Sequence, residues 1–210
     1  MSTLRARAAR PLAVALAAGA VLGVVALLAV RFLPHPANLL GTLGGPWLAT
    51  AFAVGVVTRD RRLAALSGAL TMVSAVIAYY LARVALNAEA YGGVTVRGQA
   101  IPYLVVGLLA GAGMAVLGAL WRSGGWRWRA VAAGLLAGAL GAEVIVLMSR
   151  AWRGRELILA VLHGGAAVVV AWILPGSSRG RIIALIVGWG SAAVVGGTIL
   201  ALDLPLRLIP

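Results

Sequence analysis

The sequence predicts an all-α, polytopic transmembrane helix bundle of about seven spans, and three observations predict it. Hydrophobic residues make up 62% of the 210-residue chain, charged residues 11%, and mean hydropathy is +1.03. The apolar residues gather into seven runs, most of about 18–24 residues, the length of helix that crosses a bilayer's hydrocarbon core. Arginines sit in short groups between the runs, where charges meet headgroups. A soluble domain of this size carries charge on about a quarter of its residues. An ordinary soluble enzyme, a disordered tail and a disulfide scaffold are therefore excluded. With no cysteine in the chain, thiolate chemistry and cysteine metal sites go as well.

The runs, taken in order within a single transmembrane domain 1–210, are 11–33, 38–58, 63–86, 101–121, 130–148, 157–174 and 182–202. The first follows a basic N-terminal stretch. It is too long and too rich in Leu and Val for a signal-peptide core, so an uncleaved helix is expected, with Pro11 in its first turn, where a missing N–H costs little. The second is interrupted by Gly44-Gly45-Pro46. Two readings fit it: one broken helix, or a short interfacial helix before a short span. Backbone left unpaired at such a break must be buried in protein or face water, which makes the break a candidate cavity lining. The remaining five runs are regular. Between the third and fourth lies the longest polar stretch, 87–99, read as a solvated connector in which Val94-Thr95-Val96 has the pattern of a short strand.

All 18 basic residues are Arg, against 5 acidic ones, for a net charge of +13. They flank spans and form no broad basic face, so lipid bilayer with anionic headgroups is the expected partner and nucleic acid is not. With the N-terminus cytoplasmic, the inner side holds Arg5, Arg7, Arg10, Arg59, Arg61, Arg62, Arg122, Arg127, Arg129, Arg179 and Arg181. The outer side holds Arg31, Arg83, Arg97, Arg150, Arg153, Arg155 and Arg207. That bias follows the positive-inside rule and predicts a multi-pass protein of the inner, or plasma, membrane. The Trp–Arg alternation in WRSGGWRWR, 121–129, reads as an interfacial anchor.

Charges inside spans are expensive, and they mark functional sites. Glu143, His163, Arg83, Tyr79, Tyr80 and Arg31 all fall in the outer half of the predicted bundle, with Asp203, Tyr103, Asn38 and His35 in the same zone. The inner half holds little beyond the hydroxyls of Ser67, Thr71 and Ser74. If the first six converge, they make an outward-facing polar pocket that binds or passes a small ligand. In it Glu143 pairs with Arg83 or Arg31, and Tyr79 shares a helical face with Arg83 one turn on. The competing readings are bland: arginines snorkelling to headgroups, a histidine bonded to a backbone carbonyl, a carboxylate locking two helices.

No HExxH, GxSxG or phosphate-loop signature is present, and His35 and His163 make no metal site without carboxylate help. The sequence therefore predicts no cofactor and no metal, and it leans away from an enzyme without deciding the point. An enzyme using Glu143 as acid or base on a lipid-linked substrate would need a second polar group beside it. The pairs Gly19/Gly23, Gly107/Gly111 and Gly134/Gly138, the last two within a repeated GLLAG, put small residues on one helix face and allow backbones to approach closely. They suit packing within the chain. They would equally serve an accessory subunit packed on a membrane partner, or a homodimer.

The stretch 38–70, with Asn38, Pro46-Trp47-Leu48, the arginine turn 59–62 and the small-residue helix from Leu63 through Tyr79-Tyr80, resembles a family of small Ala- and Gly-rich actinobacterial membrane proteins of unknown function. That resemblance brings no activity or site residues. The chain is more loosely similar to the substrate-binding membrane subunits of energy-coupling-factor vitamin transporters. These are of like size, bind ligand toward the outer face and meet their partner through alanines spaced as Ala13 and Ala17 are here. The likeness implies ligand binding by a six-helix bundle, from which a count of seven departs.

Overall fold

A computed structural model describes residues 2–58, 60–86, 96–150 and 156–201, and side chains within 9–58, 60–86, 100–149 and 156–201. Residues 87–95 of the expected connector 87–99, Arg59, Trp152, Arg153, Arg155, Asp203 and Arg207 lie outside the described residues, as do the side chains of Arg97 and Arg150; the connector's last four residues, 96–99, are not loop but the first turn of a helix.

The described chain is helical, without a strand. In order come α1 (Ser2–Phe32), a 3-10 helix (Ala37–Gly41), α2 (Gly44–Val57), α3 (Arg61–Ala85), α4 (Val96–Ser123), α5 (Trp126–Arg150), α6 (Glu156–Ile173) and α7 (Ser178–Ala201). With the 3-10 helix and α2 counted together, seven segments are long and apolar enough to cross a membrane. Helix is the local solution because hydrocarbon offers no partner for backbone N–H and C=O groups.

Pro11 sits deeper in its helix than expected, and Pro102 is likewise internal. Pro11 is inside α1, which begins at Ser2, and Pro102 is inside α4, which begins at Val96. Each removes one intrahelical N–H donor. Both fall in the first third of a helix that extends past its apolar run, toward the headgroup region, where water can satisfy a freed carbonyl. The helix ends are otherwise marked by familiar chemistry. Asp60 caps α3 by accepting from the Leu63 amide at 2.8 Å. Gly176 takes φ +73° in the turn between α6 and α7, where a side chain would be strained.

The helices pack in two groups. One joins α1 to α3, α3 to α4, and α2 to α4 and α3; the other joins α5 to α6 and α7; α2 and α4 meet α5 between them. The glycine faces make these crossings. A Cβ on Gly19 or Gly23 would strike the Thr71 or Ala75 carbonyl of α3, and one on Gly111 would strike Gly68 of α3. On α5, side chains at Gly134 and Gly138 would run into Ala184, Val187 and Ser191 of α7. Gly19/Gly23 and Gly134/Gly138 are thus used inside the chain as pairs, Gly111 is used without Gly107, and the two copies of GLLAG serve different neighbours. At the end where α1 and α3 begin, Trp126 and Trp128 are exposed. Trp121 donates its indole N–H to the Leu174 carbonyl at 2.9 Å, and the Arg181 guanidinium lies 4.7 Å from the Trp172 ring centre.

The second run resolves into a broken span. The 3-10 helix ends at Gly41, Thr42 and Leu43 turn the chain, and α2 starts at Gly44. Leu43, at the cap position, offers no side-chain hydrogen bond. The first amides of α2 must therefore find a partner elsewhere.

Candidate functional site

That partner comes from α5. The Gly45 amide donates to Glu143 Oε1 at 2.6 Å, and the Gly44 amide faces the same carboxylate. A carboxylate at a helix N-terminus meets both unpaired N–H groups and the positive end of the helix dipole. Glycine is required for the approach: a Cβ on Gly45 would lie 2.7 Å from Glu143 Oε2. The second carboxylate oxygen, Oε2, stands 3.3 Å from His163 Nε2 on α6. His163 is 6% exposed, and its Nδ1 lies 3.0 Å from the Leu159 carbonyl one turn back. Glu143 is seven residues from the end of α5 and His163 seven from the start of α6, so both lie about 10 Å along their helices from the α5–α6 connection.

On the other side of Gly44 lies a cavity of about 250 Å³. Its walls come from the 3-10 turn and α2 (Gly41, Thr42, Gly44, Trp47) and from α3 and α4. Most of the lining is apolar, including Met72, Val76 and Val106. Polar groups collect at one end. Tyr79, Tyr80 and Arg83 come from α3, Tyr103 from α4, and the charge of Arg83 reaches both α3 tyrosines. Arg83 is 8% exposed, whereas Tyr103 is 40% exposed, where the cavity meets the surface. The tyrosines pack edge to face with centres 5.3 Å apart, and Trp47 sits 6.3 Å from Tyr79.

The six sequence candidates therefore divide three ways. Tyr79, Tyr80 and Arg83 line the cavity; Glu143 and His163 form a pair behind its Gly44 wall; Arg31 stands apart. Arg31 donates to the Leu86 carbonyl at 2.6 Å and so caps the end of α3. Glu143 pairs with neither Arg83 nor Arg31, contrary to the sequence expectation. The α2 N-terminus intervenes, and it offers the carboxylate amides that no arginine needs to replace. His163 is bonded to a backbone carbonyl, as its bland reading has it, and meets Glu143 as well. A second polar group does stand beside Glu143, and neither residue is among those that line this cavity.

Sequence reasoning missed Gly45 as a donor, Trp47 and Thr42 as lining, and a second Glu–His contact, His35 Nε2 to Glu156 Oε1 at 3.3 Å. The break at Gly44-Gly45-Pro46 did signal the lining. The pair was signalled too. Antiparallel neighbours on a short connection put equidistant residues at one level, and 143 and 163 are each ten from 153. Among the described residues no cluster of three or more His, Cys, Asp or Glu could hold a metal.

The family of unknown function DUF6518 matches residues 2–206, and the chain belongs to it. No curated protein and no solved structure matches.

Proposed function

We propose that this integral membrane protein binds, and passes across part of the bilayer, a small amphipathic molecule with an apolar body and an acidic or strongly accepting head. One observation carries the reading: an apolar cavity that ends on a buried guanidinium flanked by three tyrosines. A guanidinium held in a low-dielectric site favours an anionic head, which it engages through charge-assisted hydrogen bonds. The apolar wall accommodates the body, as in most small-molecule sites. With the N-terminus cytoplasmic, as the arginine bias supports, the cavity lies in the outer half of the bundle. The chain has no cysteine, so single-cysteine variants labelled from one side of a sealed vesicle report that orientation directly.

The test uses the purified full-length chain in phospholipid nanodiscs, with decanoate and decanol as probes and the Trp47 emission as readout, taken as the difference from Trp47→Phe. Saturable decanoate binding is expected, at least tenfold tighter than decanol binding. Arg83→Gln should erase that preference and leave decanol binding intact. Equal affinity for the two probes in the wild type, or no saturable signal from either, overturns the reading.

A further inference from the structure

The contacts around His163 constrain its protons. The ring lies between two acceptors: the Leu159 carbonyl, 3.0 Å from Nδ1, and the Glu143 carboxylate, 3.3 Å from Nε2. A neutral imidazole has one N–H and one lone pair. If the proton is on Nδ1, the Nε2 lone pair faces a carboxylate oxygen. If it is on Nε2, the Nδ1 lone pair faces the carbonyl. Both contacts are favourable only when the pair holds one more proton, as imidazolium with carboxylate or as neutral ring with carboxylic acid. That loaded pair is net neutral. The unloaded pair carries a net negative charge within the bundle, where a charge without a counterion is costly.

Glu143 is also what holds Gly45, and Gly44 beside it is cavity wall. We propose that Glu143 and His163 form a binding site for one exchangeable proton, and that its release loosens the Gly44–Gly45 wall and so couples protonation to movement of ligand through the cavity. The first half stands on the pair alone; the second rests on the ligand-binding reading above. On release the proton goes to bulk water, and no bond other than O–H or N–H changes. The carboxylate then turns from the ring's lone pair and carries its hold on the Gly45 amide with it.

Among the described residues, few other charged groups face the pair. α2 carries no titratable side chain, and α7 carries only Arg179 and Arg181, both in its first turn. From α3 and α4, Tyr79, Tyr80, Arg83 and Tyr103 lie across the Gly44 wall. α1 contributes Arg31, engaged with Leu86. Glu156 at the start of α6 meets His35, which precedes the 3-10 helix. This second pair ties the same segment to α6, so its titration must be separated from that of Glu143.

Glu143→Gln does so. A glutamine oxygen still accepts from the Gly45 amide, and its NH₂ donates to a neutral Nε2, so the variant imitates the loaded pair at every pH while His35 and Glu156 stay intact. In nanodiscs, infrared difference spectra of the wild type between about pH 6 and pH 9 should contain a carboxyl or carboxylate band that Glu143→Gln removes and His163→Gln shifts. Over the same range the protection of the Gly45 amide against hydrogen exchange, corrected for intrinsic rate, should fall at least tenfold in the wild type and stay level in Glu143→Gln. The dissociation rate of decanol, a probe with no titration of its own here, should rise with pH in the wild type alone. Absence of the infrared band, or equal pH dependence of exchange in both proteins, overturns the proton site. If decanol never binds, the cavity reading fails while the infrared and exchange arms still decide the site. If decanol binds but its release ignores pH in both proteins, the coupling is overturned and the cavity reading stands.

Discussion

Two polar clusters occupy the same end of this bundle, one on either side of a single glycine, and they are built to opposite rules. The Glu143–His163 pair is close-fitted: a carboxylate shared between a backbone amide at 2.6 Å and an imidazole at 3.3 Å, with no space for a side chain at Gly45. The Arg83 cluster borders about 250 Å³ of cavity. The difference teaches that ionisable groups confined to one end of a bundle do not by themselves define one site. Backbone geometry divides them, and on the proposals above one cluster holds a proton and the other a ligand.

The comparison is broken most sharply at His163. His163→Leu leaves Glu143 buried without its proton partner, and removal of one member of a buried pair typically costs about 3–5 kcal/mol. Reversible unfolding in mixed micelles should register a loss of that order. Glu143→Gln with His163→Leu should recover part of it, because the double variant strands no charge. A loss below about 1 kcal/mol, the range of an exposed pair, would put the two clusters on the same footing.

Gly45 tests the same contrast from the backbone. A methyl there must displace Glu143 or Leu140, each 2.7 Å from the added carbon. Overpacking of this kind costs about 1–3 kcal/mol. Gly45→Ala should therefore lower the unfolding free energy by that amount and reduce the protection of the first amides of α2. An unchanged stability would mean that the carboxylate can swing aside freely, and the wall would lose its rigidity.

The sequence disclosed the bundle because hydropathy and arginine placement report directly on the cost of charge and open backbone in hydrocarbon. It disclosed the broken span through Gly44-Gly45-Pro46 and the helix crossings through Gly19, Gly23, Gly111, Gly134 and Gly138. It also located the costly ionisable groups, Glu143, His163 and Arg83, at one end. Who meets whom was hidden. Pairing depends on how each helix is rotated about its axis, and apolar, Ala-rich helices that face lipid on one side and one another on the other carry weak rotational signals. Charge complementarity suggested Glu143 with arginine. A backbone donor such as Gly45 has no side chain to advertise it, yet it won the carboxylate.

The smallest expected effect has the opposite sign and sharpens the contrast furthest. Gly107 lines the cavity, and a Cβ there would sit 3.4 Å from Met72 Cβ and 4.0 Å from Met72 Cε, ordinary contact distances. Gly107→Ala therefore adds a methyl to existing space. In a helix interior that exchange is worth up to about 1 kcal/mol in favour of alanine, and the new contacts add dispersion. Unfolding measurements should give a gain of about 0.5 kcal/mol. Decanoate affinity should fall a few-fold, because the methyl takes volume from the ligand's apolar body. Two glycines at or beside the cavity would then answer one substitution with opposite signs: Gly45 because its space is taken by Glu143, Gly107 because its space is open. A loss of stability at both positions would mean that the cavity is as tightly specified as the pair, which leaves no room for a guest.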